Sequence, residues 1–337
     1  MGVEKKKRAN LRDVAKASGV SVATVSRVLN KSPLVTDETR ERVLSAIESL
    51  KFVPSAAARA INSGRTRMVG ALLATLDNAI YSLFIDALEE ELGKFALSLV
   101  VATTRGDGDV EAFQAQRLLD LGVEGLIVSG ITHSAEFYSL VERSDLPVIA
   151  TSYYDPNYRL PTIGYDNAGI AQLSLEHLID LGHKRIAVLH GPTHNNDRTR
   201  ARIRGLEKRA DAILSFYETE NQTASAGDAA EAAINAMAPP SALLCLADVL
   251  AHGALFRCQN LGIAVPKDIS IVGLDDLPTS ASTCPPLTSV HSPVKRMGRR
   301  TASSLAKWVE EGVRPAPELI DAHLVIRSSA ALEQSYS

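Results

Sequence analysis

The chain has 337 residues, 45% of them hydrophobic and 22% charged, a composition that fits a soluble globular protein of two or three domains and excludes a disordered or fibrous one. No apolar run reaches the roughly 18–20 residues of a membrane helix, and no apolar stretch follows the basic Lys5–Arg8, so neither a membrane span nor a secretory signal is expected. The net charge of −3 conceals an asymmetry: residues 1–65 carry 13 Lys and Arg against 6 Asp and Glu, a net +7, which leaves −10 on residues 66–337, and a basic head on an acidic body is the pattern of a nucleic-acid-binding module attached to a larger domain.

The first elements lie between Asn10 and Asn30. Asn10 can cap a helix, with Asp13 in its first turn, and Leu11, Val14 and Ala15 fall at helical spacing. Gly19 stands where a left-handed residue ends a helix. Ser21 can cap a second helix whose buried stripe is Val25, Val28 and Leu29, and whose other side presents Val22, Ala23, Ser26 and Arg27. Two short helices joined by a glycine turn make a helix-turn-helix, and the second would enter a DNA major groove. The same pattern also occurs in ordinary helical hairpins; the basic surroundings favour DNA. Thr36 caps a third helix with Leu44, Ile47 and Leu50 as its stripe and Val43 alongside. Pro54 opens an Ala-rich segment, Ser55–Asn62, too short to be a stable helix alone and by itself a linker.

From Met68 the period changes. Strands are expected at Val69–Leu73, Leu97–Ala102, Gly125–Ser129 and Pro147–Ala150, with helices at Ile80–Phe95, Asp109–Leu121 and Ala135–Val141 between them. After Pro161 the alternation restarts. Strands are expected at Arg185–His190, Ile213–Tyr217, Ala242–Ala247 and Ile269–Leu274, and helices at Asn167–Leu181, Arg198–Ala210, Ala226–Met237, Val249–Leu261 and Pro293–Glu311. Such alternation gives parallel sheets covered on both faces.

The run LRDVAKASGVSVATVSRVLN, followed by VTDETRERVLSAIESLKFVPSAAARAI, resembles the headpiece of the LacI/GalR (lactose-repressor) family of bacterial transcription regulators, almost without gaps over residues 10–62 and more loosely over nearly all the rest. The resemblance implies an N-terminal all-α helix-turn-helix headpiece (1–53), a hinge (54–65) and an α/β periplasmic-binding-protein-like core (66–337) of two Rossmann-like subdomains, 66–163 with 293–321 and 164–292 with 322–330. It implies chain crossings near Ile163–Tyr165, Val290–Pro293 and Asp321–Leu324, with a final strand at His323–Arg327. It also implies a hinge that folds when two copies pack on DNA, with Ala58 at the contact between hinges and Ile61, where the family usually has Leu, wedged into the minor groove. The region Gly205–Ala226 is about five residues shorter than the family's, within ordinary loop tolerance.

On the DNA side, Arg27 can pair with a guanine edge or hold a phosphate. Val22 and Ala23 occupy the positions with which the family reads bases and can only meet thymine methyls or exclude polar edges; Ser21, Thr24, Ser26 and Asn30 suit phosphates. A palindromic double-stranded operator read by a homodimer follows. The terminal Ser328–Ser337 lacks heptads, so a dimer is expected rather than a tetramer.

In open α/β sheets, ligands bind at the carboxyl ends of strands, where Asp275 ends ISIVGLD; it could equally cap a helix. Arg202 is a forked donor in RTRARIRG, where Arg198, Arg200 and Arg204 cannot all face one ligand. The resemblance selects Arg202 and Asp275 as an effector clamp, with Thr75, Asn78 and Asp248 beside it. Ala247 stands where the family commonly has Asn, and Val294 where it often has an aromatic.

The segments VGALLATLDNAI, GITH, IGYDN and TSVHSPVKRMG look most like the gluconate-type branch, so a sugar or sugar acid such as gluconate is the expected effector. The eight histidines and three cysteines show no metal spacing, and no nucleophile elbow, P-loop or dinucleotide motif is present, so no metal, cofactor or catalytic residue is expected. The expectation is a cytoplasmic, ligand-responsive repressor and not an enzyme. The rivals are control by a partner protein or a non-sugar metabolite, and, more remotely, a solute-binding protein.

Overall fold

Asn10 starts the first helix, α1 (Leu11–Ser18), through a capping box. Its side chain accepts from the Arg12 and Asp13 amides at 2.8 and 3.3 Å, and the Asp13 carboxylate accepts from the Asn10 amide at 2.9 Å. Gly19, at φ +66°, ends it. Ser21 Oγ accepts from the Thr24 amide at 3.1 Å and opens α2 (Val22–Leu29); Thr36 opens α3 (Asp37–Ser49). The three helices close over Val14, Ala15, Val25, Val28, Val43, Ala46 and Phe52. Leu44 departs from expectation. The inward face of α3 runs through Val43, Ala46, Ile47 and Leu50, and Leu44, one step around the helix from Val43, is 50% exposed.

In this computed structural model, residues 9–29, 32–53, 60, 63–207 and 211–333 are described. They fall into two units, Met1–Thr66 and Arg67–Ser337.

The second unit holds two six-stranded sheets. The first contains β1 (Met68–Leu73), β2 (Ser98–Thr103), β3 (Leu126–Ser129), β4 (Val148–Thr151), β5 (Thr162–Gly164) and β11 (Glu318–Leu319), in the order β11-β5-β4-β3-β1-β2. The second contains β6 (Arg185–His190), β7 (Ile213–Glu218), β8 (Ala242–Cys245), β9 (Ser270–Asp275), β10 (Thr288–His291) and β12 (His323–Val325), in the order β12-β10-β9-β8-β6-β7. Every pairing is parallel except β12 against β10. The central strands are buried on both faces because helices cover both: α4 (Ala79–Lys94), α5 (Gly108–Asp120) and α6 (Ala135–Ser144) with the first sheet, α7 (Asn167–Asp180), α8 (Asp197–Glu207), α9 (Thr223–Ile234) and α10 (Asp248–Leu261) with the second.

The chain passes between the sheets three times: after β5, after β10 and after β11. After β10, helix α11 (Val294–Glu311) returns to pack on α4 of the first lobe. The crossings start at the ends of the short strands β5, β10 and β11. One apolar cluster runs through them, joining Ile163, Tyr165 and Ile320 of the first lobe to Leu274 and Val290 of the second. The last strand stops at Val325, two residues early, because Arg327 turns away: its amide donates to Thr288 Oγ1 at 2.9 Å and its Nη2 to Asp276 at 2.7 Å.

Candidate functional site

On the first unit, Ser21, which precedes α2, and Val22, Ala23 and Arg27 of α2 are exposed. The Arg27 guanidinium has no hydrogen-bond or ionic partner among the described residues, and the side chain is exposed. Thr24 and Ser26 are half-buried, and the Thr24 hydroxyl is shared with Ser21 Oγ at 2.9 Å, part of the cap that holds the helix start. Asn30, Ala58 and Ile61 lie outside the described residues.

On the second unit, a cleft of about 790 Å³ opens between the two lobes at the carboxyl ends of both sheets. Arg202 and Asp275 both line it. Arg202 is held by two bonds, Nε to Asn167 Oδ1 at 3.1 Å and Nη1 to the Leu246 carbonyl at 2.7 Å, which leave the remaining guanidinium hydrogens for a ligand. Helix α8, which carries it, lies against α7 because Gly205 has no side chain; a Cβ there would come within 2.6 Å of the Ala168 carbonyl.

Asp275 and Asp276 both have positive φ, +127° and +53°. Such backbone persists only where the surroundings over-determine it. Here Asp276 does so: it accepts from Arg327 Nη2 at 2.7 Å, pairs with His291 Nδ1 at 2.9 Å, and its amide donates to Ser289 Oγ at 3.1 Å. The result directs Asp275 into the cleft. Burial pushes the Asp275 carboxyl up to about 7, with Arg202 opposing and Asp248 reinforcing. Burial likewise lowers Arg202, with Asp275 opposing. The two groups line the same cleft and act on each other through their charges.

The other expected cleft residues divide. Thr75 and Asn78 line the cleft, but their oxygens are engaged locally, Thr75 Oγ1 with the Asp77 amide at 3.1 Å and Asn78 Oδ1 with the Ile80 amide at 3.2 Å as the cap of α4. Asp248 does not reach the cleft. It is 0% exposed and turned inward, where Oδ2 accepts from the Leu277 amide at 2.8 Å and Ser280 Oγ at 2.5 Å, and Oδ1 accepts from Ser289 Oγ at 2.6 Å. Burial raises its carboxyl and these three bonds oppose the rise, so it pins the start of α10 to the turn after Asp276.

The structure adds residues the sequence did not single out for the site. Arg198 and Arg105 line the cleft, Arg198 one helical turn before Arg202 on the same face, a spacing that was legible. Arg200 instead turns to the Thr193 carbonyl, and Arg204 faces a groove of about 150 Å³ with Tyr153 and Tyr154. Tyr165 and Ser292, immediately after the first two crossings, also line the cleft, and their buried hydroxyls have no partner among the described residues. No His, Cys, Asp and Glu cluster among the described residues could hold a metal ion.

A helix-turn-helix unit joined to a two-lobed α/β core with an interlobe cleft defines a transcriptional regulator of the kind that pairs a DNA-reading headpiece with a binding-protein core. Comparison with known proteins agrees. Residues 10–55 match the family of bacterial regulatory proteins called lacI, and residues 175–330 match the periplasmic binding protein-like domain. The chain is 32% identical over 312 residues to the HTH-type transcriptional repressor PurR of Aliivibrio fischeri, covering 90% of this chain and 92% of that one. It is 33% identical to the HTH-type transcriptional regulator reg1 of Streptomyces lividans, covering 95% and 96%. The lac repressor dimer bound to operator and the anti-inducer ONPF superposes with a TM-score of 0.87 at 26% identity, over 96% of this chain and all of that one. The chain therefore belongs to the LacI family of bacterial regulatory proteins: it is a DNA-binding transcriptional repressor, not an enzyme.

Proposed function

We propose that the protein acts in the cytoplasm as a homodimer on a palindromic operator and that its cleft takes a small sugar or sugar acid, gluconate being the first to test. The DNA contacts are assigned to Ser21, Val22, Ala23, Thr24, Ser26, Arg27 and Asn30, with Ala58 and Ile61 in the hinge. Only Arg27 among them is a forked donor, so it carries base discrimination while the small residues position the helix. A dimer is favoured because one such helix reads only a few base pairs.

The observation that supports the effector class is the pairing in one cleft of Arg202 with Asp275, with Arg105 and Arg198 lining the same space. A carboxylate accepts from hydroxyls and an arginine fork donates to hydroxyls or a carboxylate, so a polyol with an acidic end suits both. Effector and operator are then coupled through the lobes: a ligand that binds one lobe arrangement better shifts the other site by its differential affinity, typically ~1–3 kcal/mol.

The test is calorimetric titration of the full chain with gluconate, glucose and glucose 6-phosphate, repeated with Arg202→Ala and paired with operator binding. Saturable binding of a sugar or sugar acid that changes operator affinity, and is lost in Arg202→Ala, supports the reading. Binding that survives Arg202→Ala, or no binding by any of the three, removes this effector class and leaves the DNA-binding role intact.

A further inference from the structure

The two lobes also meet through a contact that no ligand takes part in. The loop after β3 runs Gly130-Ile131-Thr132, with φ +86° at Gly130. Asp197, in the first turn of α8 on the other lobe, places its carboxylate on this loop. Oδ2 accepts from the Ile131 amide at 2.5 Å and from the Thr132 amide at 2.8 Å. Oδ1 accepts from Arg198 Nη1 at 3.1 Å. Arg200 spans the same gap, donating from Nη2 to Thr132 Oγ1 at 3.0 Å and from Nη1 to the Thr193 carbonyl of its own lobe at 2.7 Å.

An aspartate at a helix start ordinarily serves the free amides of its own helix. Here Asn196 does that, its Oδ1 accepting from the Thr199 amide at 3.2 Å, so Asp197 is free to serve amides of the opposite lobe. The seat is built for it. Asp197 is only 6% exposed, and a Cβ on Gly130 would lie 2.6 Å from Asp197 Oδ2 and 2.2 Å from Arg198 Nη1. A carboxylate taken from water and given two amides and a guanidinium makes charge-assisted bonds, the strong kind.

We propose that Asp197 is a ligand-independent latch: seated on the Gly130–Thr132 amides, it sets the share of ligand-free molecules in which the two lobes are closed. Effector would then act on an equilibrium whose resting point this one contact fixes, whatever ligand the cleft takes. Arg198 links latch and cleft, because it bonds Asp197 and lines the ligand space at once. Asp197 does not line the cleft and is a positioning residue.

The test uses the ligand-free full chain, with hydrogen–deuterium exchange and small-angle scattering on the wild type, Asp197→Ala, Gly130→Ala and the double variant. The latch predicts that each single change raises exchange at the Ile131 and Thr132 amides by about tenfold or more. It also predicts a larger radius of gyration, faster exchange along the cleft walls, and a double variant no more open than either single one, since both break the same contact. Faster exchange confined to residues 130–132 with unchanged scattering would mean that Asp197 only orders a loop, and would overturn the proposal. So would additive opening in the double variant. Should Asp197→Ala fail to fold, Asp197→Asn keeps the volume and removes the charge; unchanged closure in that variant and in Gly130→Ala would also overturn it.

Discussion

Asp275 sets a pH dependence that can be signed from its surroundings. An aspartate in an unfolded chain titrates near 3.9, and burial lifts this one to about 7. Below about pH 4 it is protonated in both states and contributes nothing. Between there and about 7, the folded chain keeps a proton that the unfolded chain has released, so stability falls as pH rises. Above that, the full cost is present, roughly 4 kcal/mol for this separation of pKa values. Asp275→Asn mimics the protonated form. It should melt above the wild type at pH 8, approach it near pH 4.5, and lose effector response throughout; Asp248, also raised by burial, leaves a residual slope in both. Melting curves of the full chain across this range decide it, and an unchanged slope in the variant would mean that Asp275 is not the titrating group. Arg27→Ala should cost about 1–3 kcal/mol of specific operator affinity if it pairs with a guanine, with non-specific binding little changed. A uniform loss across DNA sequences, with the salt slope reduced by about one, would reassign it to a phosphate.

The elements show what sequence can and cannot reveal. Helix α1 was legible at both ends because its signals are local: the Asn10–Asp13 box and Gly19 each act within four residues. Gly19 permits a clean test. Its φ is +66° and no atom lies within 4 Å of where a Cβ would sit, so Gly19→Ala carries only the conformational cost, about 1 kcal/mol, and Gly19→Asn less. Amide exchange in α1 reads this directly; equal protection in all three forms would show that the turn is not fixed by this residue. The buried strands were legible as apolar runs because helices cover both faces of the sheets. Strands β5, β10 and β11 were not. They have three, four and two residues, too few for a period, and exist through the neighbours they pair with. Asp248 failed for a related reason. Its position after a strand was visible, but its direction is set by Ser280 and Ser289, 32 and 41 residues further on. Arg202 and Asp275, to which the resemblance points, line the cleft, while Tyr165 and Ser292 enter it at crossings whose short strands carry no period in the sequence.

At the scale of the molecule, the charge is segregated by unit, with +7 on residues 1–65 and −10 on the rest. An acidic body repels DNA, so affinity must come from the head, and a large part of it from counterions released as Lys and Arg meet phosphates. The slope of log affinity against log salt is about −0.9 for each phosphate neutralised. Two headpieces on one palindrome, making about 6–10 phosphate contacts between them, give a slope of roughly −5 to −9. Operator titrations of the full chain from about 50 to 200 mM salt measure it, a span over which such a slope weakens binding by about 10³–10⁵. A single headpiece engages about half as many phosphates and halves the slope, so the same titration counts headpieces. A slope shallower than about −2 would be incompatible with a dimer reading a palindrome through α2, because the short side chains at the start of that helix, Ser21 just before it and Val22 and Ala23 within it, supply too little direct base contact to replace the missing phosphate term.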